Sequence, residues 1–193
     1  MSVAAIGIIW KAPQPGRSKT RLAPAIGDLA ASELSACFLR DVAASIEAVP
    51  ETLGRRGYGV YAPAGAEHIM RRLLPAQFGL LLQAGDDLGH VLLGATRTLL
   101  EVGHDCVLLV IGLKYPHGHL FTRIAWGTET IARATCERAV EIGLATTLLP
   151  EWYDVEISKP CVGSRRSKPG IRPVFTAADL LQRAGRFFRP CRK

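Results

Sequence analysis

No Cys-x-x-Cys pair occurs anywhere in the 193 residues. The five cysteines, Cys37, Cys106, Cys136, Cys161 and Cys191, are far apart and odd in number. That excludes a disulfide scaffold and a zinc ribbon, and fits buried or incidental thiols in a reducing cytosol. No apolar run approaches the ~20 residues of a membrane-spanning helix, so an integral membrane protein is excluded. The apolar start Met1–Trp10 has no basic residue ahead of it and runs into Lys11-Ala-Pro-Gln-Pro-Gly16, unlike a signal-peptidase site. The expected location is therefore cytoplasmic. No Gly-x-Ser-x-Gly nucleophile elbow is present either.

What remains is enough for a core. The hydrophobic share is 48%, which excludes global disorder, and the length suits one domain of ordinary size. The formal net charge of +7 invites a nucleic-acid reading, but its distribution argues against one. Residues 156–193 hold ten Lys/Arg and two acids, whereas residues 1–155 hold 14 basic and 15 acidic residues. The expected organisation is a near-neutral domain over 1–155, then a basic linker and short C-terminal helix over 156–193. Ser158–Pro173 is rich in Pro, Gly, Ser and Arg. Thr176-Ala-Ala-Asp179 resembles a helix start, followed by Leu180, Leu181, Ala184, Phe187 and Phe188 as an apolar side.

Periodicity predicts strands alternating with helices. Val3–Trp10 is a continuous apolar run, the mark of a strand buried on both faces. A helix is expected over about Asp28–Val49, with Leu34, Phe38, Val42, Ile46 and Val49 on its inner face. Tyr58–Ala62, Phe78–Leu82, Cys106–Leu113 and Leu144–Leu149 read as further strands, and Ala66–Leu74, a stretch opening near Leu88 and Thr128–Ile142 as helices. This alternation implies an α/β sandwich whose sheet is mostly parallel and covered on both faces.

In such sheets, ligands bind beyond the carboxyl ends of the strands, and the first loop is the favoured place. Here that loop is Lys11-Ala-Pro-Gln-Pro-Gly-Arg-Ser-Lys-Thr-Arg-Leu22. It offers four cations (Lys11, Arg17, Lys19, Arg21) and backbone N–H groups beside Gly16, suited to the oxygens of a pyrophosphate. The bland alternative is a solvated basic loop. A Walker-type P-loop is rejected, because its first and sixth positions require glycine where Pro13 and Ser18 stand. Pro13 and Pro15 also remove two amide donors.

Taken in order, Lys11-Ala-Pro-x-Pro-Gly-x-x-Lys-Thr-Arg-Leu22, Tyr61-Ala-Pro63, Gln83-x-Gly-x-Asp-Leu-Gly89, Ile111-Gly-Leu113, Leu120-Phe121, Trp126, Thr128 and Trp152-Tyr-Asp-Val155 resemble a bacterial family. It is the DUF2064 group of GT-A-fold glycosyltransferases, within the nucleotide-diphospho-sugar transferase superfamily. The likeness spans roughly residues 3–155. It implies a Rossmann-like three-layer sandwich of GT-A type, and a nucleotide or nucleotide-sugar over the ends of the first and fourth strands. Lys11, Gly16, Arg17, Lys19 and Arg21 would lie along the diphosphate, with Lys19 and Arg21 stabilising the leaving group. Gln83, Gly85, Asp87 and Gly89 would approach the base and ribose. Read from the residues alone, 83–89 is an ordinary helix start with Asp86 or Asp87 as its cap.

The chain departs from the family where an Asp-Ser-Pro turn is expected to supply the metal ligand. Val107-Leu-Leu-Val110 passes straight into Ile111-Gly-Leu113, as if a βαβ-sized segment were deleted after Val110 and two strand halves fused. The Mg²⁺ or Mn²⁺ that the resemblance implies would then fall to Asp154, with Glu156 as a longer-armed neighbour. Trp126 and Tyr153 are candidates for lining an acceptor pocket, or for plain packing. His117-Gly-His119 lacks metal-site spacing and any acidic or cysteine neighbour in sequence, and is expected to be a metal-free loop pair. Three functions follow as expectations. The first is a glycosyl- or nucleotidyltransferase; the second a nucleotide-binding relative without the metal centre. The third is a binder of anionic polymers through the basic tail.

Overall fold

A computed structural model describes residues 3–149 except Glu129. The expectations for Tyr153, Asp154, Glu156 and the segment 156–193 therefore lie outside the described residues.

The apolar start forms β1 (Ala4–Lys11), and its alternate side chains reach opposite faces of the sheet. A short helix, α1 (Ala23–Ile26), precedes the long α2 (Asp28–Glu47), and β2 (Arg55–Ala62) follows. Then come α3 (Glu67–Leu73), β3 (Gly79–Leu82), α4 (Leu88–Glu101), β4 (Cys106–Leu108), β5 (Gly112–Leu113) and α5 (Ile131–Glu141). A 3₁₀ turn at Gly118–Phe121 lies between β5 and α5. The sheet order is β3-β2-β1-β4-β5. β1 runs parallel to both β2 and β4, and β3 parallel to β2. The chain thus builds outward from β1 to β3, then returns to the other side of β1. That reversal creates a crevice at the carboxyl end of β1.

Two helical layers bury the sheet. On one face Ile8 and Tyr61 pack with Leu39, Ala43 and Ile46 of α2 and Met70 of α3. On the other, Ala5, Tyr58 and Val107 meet Leu99 of α4, and Val60 meets Val91 and Ala95. Glycines make room for large neighbours: a Cβ on Gly57 would collide with the Phe78 ring, one on Gly79 with Tyr58, and one on Gly7 with Leu109. No described helix is long and apolar enough to cross a membrane.

The expected mixed α/β fold with a mostly parallel sheet is observed, but three local expectations are corrected. Cys106–Leu113 is two strands instead of one: the chain reverses over Leu109–Ile111, and Val107 pairs antiparallel with Leu113. The apolar run conceals a hairpin with Val110 exposed at its tip. Leu144–Leu149 forms no strand, and Leu148 and Leu149 stand exposed. Finally, α2 buries Ala31, Ser32, Ser35, Leu39, Ala43 and Ile46, while Val42 is exposed and Leu34 and Phe38 are only half-buried. The buried face of α2 thus combines the small Ala31, Ser32, Ser35 and Ala43 with the larger Leu39 and Ile46.

Candidate functional site

The loop after β1 is held as a clasp. The Gln14 N–H donates to Ser18 Oγ at 3.0 Å, and the Ser18 hydroxyl donates to the Gln14 carbonyl at 2.9 Å. The Arg17 and Ser18 amides donate to that same carbonyl at 3.1 Å. Gly16 sits at the tip with φ +71°, a conformation that glycine adopts without penalty. Ala12, Ser18 and Leu22 are buried anchors, so the loop is fixed at both ends and in the middle. Lys11, Arg17 and Arg21 are exposed beside these anchors.

Lys19 is different. Its backbone is left-handed at φ +48°, which costs a non-glycine residue roughly 1–3 kcal/mol. Its carbonyl accepts from the Leu22 amide at 2.8 Å. Its half-buried side chain carries the ammonium over the Trp10 ring, 5.4 Å from the centroid, and 5.6 Å from that of Phe38. Cation–ring contacts at exposed sites contribute about 0.5–1 kcal/mol, against about 1.5–3 for a hydrogen bond to a charged group. The ammonium is thus held in place yet would favour an anion.

A cavity of about 250 Å³ opens here, lined by Ile9, Trp10, Lys11, Ser18, Lys19 and Ser35. The indole N–H of Trp10 donates to Ser35 Oγ at 3.1 Å, which joins the end of β1 to α2. Of the cations expected in the first loop, the structure brings Lys11 and Lys19 to the cavity. Arg17 and Arg21 belong to the same loop without lining it.

The 83–89 segment stands at the same end of the sheet but does not line that cavity. The Gln83 side-chain amide donates to the carbonyls of Val60 at 2.8 Å and Trp10 at 3.1 Å, tying the end of β3 to β2 and β1. Gly85 has φ +123°. Asp87 caps α4, accepting from the His90 amide at 2.8 Å. Gly89 lies under the Trp126 indole, whose Nε1 would be 2.8 Å from an added Cβ. Trp126 in turn stacks on Phe121, with centroids 6.5 Å apart.

His119 does have an acidic partner, contrary to the sequence reading. Its Nε2 hydrogen-bonds Glu141 Oε2 at 2.6 Å, and Arg138 reaches the same oxygen at 2.6 Å. The His119 hydrogen bond, aided by nearby Arg138 and Arg123, holds the Glu141 carboxyl below its ordinary range. Among the described residues, no group of three His, Cys, Asp or Glu side chains could hold a metal ion. Asp154, to which the resemblance would assign the Mg²⁺ or Mn²⁺, lies outside the described residues.

Over 97% of this chain and 96% of the other, the structure matches a protein from Desulfovibrio desulfuricans G20 described as a "putative nucleotide-diphospho-sugar transferase". The TM-score is 0.72 and the sequence identity 21%. The fold is shared. No family model and no curated protein matches the chain, so the likeness rests on architecture. Of the lining residues, Lys11 and Lys19 were named from the sequence, whereas Ile9, Trp10, Ser18 and Ser35 were not. The available signal was the spacing of the small residues Ala31, Ser35 and Ala43 on one face of α2.

Proposed function

We propose that this chain binds the diphosphate of a nucleotide or nucleotide-sugar at the carboxyl end of β1, as a glycosyl- or nucleotidyltransferase. The observation that carries the reading is the pair Lys11 and Lys19 lining one cavity at the point where the sheet order reverses. The transferase description of the structural neighbour supports it. In group transfer, the bond between the moving group and the diphosphate breaks and its electron pair leaves with the diphosphate. Lys19 and Arg21 would stabilise that charge, and Lys11 and Arg17 would bind and orient the phosphates. The clasp from Gln14 to Ser18 sets the path of the loop backbone from which these side chains reach the ligand. Gln83, Gly85 and Gly89 would border the base and ribose, and Trp126 an acceptor.

A second reading, a nucleotide-binding relative without turnover, is favoured by two observations. Asp87 is engaged as a helix cap, and the turn Leu109–Ile111 carries no carboxylate where the resemblance expects the metal ligand. Calorimetry with nucleoside diphosphates, with and without Mn²⁺, tests both. Lys19→Ala combined with Arg21→Ala is expected to weaken binding by about tenfold or more. Unchanged affinity would exclude the site. Binding indifferent to Mn²⁺, with no turnover of any sugar nucleotide, would leave the second reading standing.

A further inference from the structure

Resting on that reading of the cavity, we propose that Trp10 and Phe38 form an aromatic seat that competes with the bound anion for Lys19. Anion binding would then draw the ammonium off the rings by side-chain rotation alone. The seat is rigid. The Trp10 indole is fixed through Ser35, which is 2% exposed, and the Trp10 carbonyl is held by Gln83. Phe38 lies on α2 three residues beyond Ser35.

The Lys19 backbone is equally fixed. The Gln14–Ser18 clasp precedes it and the Leu22 hydrogen bond to its own carbonyl follows it. Its left-handed φ leaves the flexible four-carbon stem as the part free to move. The ammonium faces both rings, and Trp10, Lys19 and Lys11 border the same cavity. In this proposal seat and anion are alternative partners of one charge, exchanged by rotation of the stem. A phosphate oxygen makes the stronger partner. Trp10 and Phe38 are positioning residues that hold Lys19 at the mouth of the cavity and reduce the net affinity for the anion.

The test titrates the full chain with inorganic pyrophosphate, by calorimetry and by NMR of the Lys19 ε-methylene group. That resonance is assigned through its loss in Lys19→Ala. In the free protein it is expected to be displaced by the ring currents, and to return to its ordinary position at saturation. Phe38→Leu is expected to bind pyrophosphate about two- to fivefold more tightly, and Trp10→Leu to do the same if it folds. Weaker or equal binding by Phe38→Leu overturns the seat, because the rings would then support the site or be irrelevant to it. So does a Lys19 resonance that stays displaced at saturation. If Lys19→Ala loses affinity while that resonance stays put, the diphosphate site stands and the seat alone falls. If pyrophosphate binds neither the wild type nor Phe38→Leu, the site reading falls and takes the seat with it.

Discussion

β1 meets β2 over its whole length, from Ala4 opposite Arg55 to Lys11 opposite Ala62, but meets β4 over Ala4–Ile6 alone. On the β2 side the core contains Leu39, Met70 and Phe78, all buried. On the β4 side the sheet ends in a two-residue strand, and Val110 and Val140 are exposed nearby, at 68% and 73%. The candidate site leans on the stronger half, since Trp10 is tied to Ser35 of α2 and to Gln83 after β3. Stability and ligand geometry are thus concentrated on the same flank.

The largest expected effect is on that flank. Phe78→Ala would leave a cavity where the ring fills the space over Gly57, costing about 3–5 kcal/mol by denaturant unfolding. A cost under ~1 kcal/mol would erase the asymmetry between the flanks. Leu113→Ala, on the thin flank, is expected at the low end for such changes, about 2 kcal/mol, because β5 is short and at the sheet edge. Hydrogen exchange should show the β4 and β5 amides opening well before those of β1 and β2; equal protection would contradict the comparison.

The smallest effect is acid sensitivity. Glu141 links α5 to the 3₁₀ turn through His119, and its carboxyl is held below the ordinary range. Its contribution is complete above the ordinary glutamate pKa of about 4.3, and is lost as the pH falls through the lowered folded value. Glu141→Gln should remove this acid dependence of exchange in Gly118–Phe121. Persistence of the dependence would assign it to another group.

What the sequence made legible follows the same division. β1 announced itself as a continuous apolar run bounded by Pro and Gly, and the cations after it lie where the sheet order places a ligand. The hairpin was hidden because its turn, Leu109-Val110-Ile111, contains none of the residues that ordinarily mark a reversal. On α2 and its end, Ile46 and Val49 are buried as expected, but hydrophobicity also favoured Leu34, Phe38 and Val42 where the buried face uses Ala31, Ser35, Leu39 and Ala43. Leu144–Leu149 has strand-like composition, but among the described residues it pairs with no strand. At the site, charge was visible in the sequence. The walls were not, since a tryptophan at a strand end and two serines carry no chemical signature until the fold brings them together.

The glycines that receive Phe78, Tyr58 and Leu109 have an effect beyond their own neighbourhood. Each pairs an empty position on one strand with a bulky side chain from elsewhere, so a slip of one residue would set bulk against bulk and turn every side chain of that strand to the opposite face. A slip of β1, against which the fit of Leu109 over Gly7 acts, would turn Trp10 away from α2, and Lys19 would lose one of its two rings. Gly7 does not line the cavity, yet the space it leaves for Leu109 helps set the alignment of the strand end on which the binding loop is mounted.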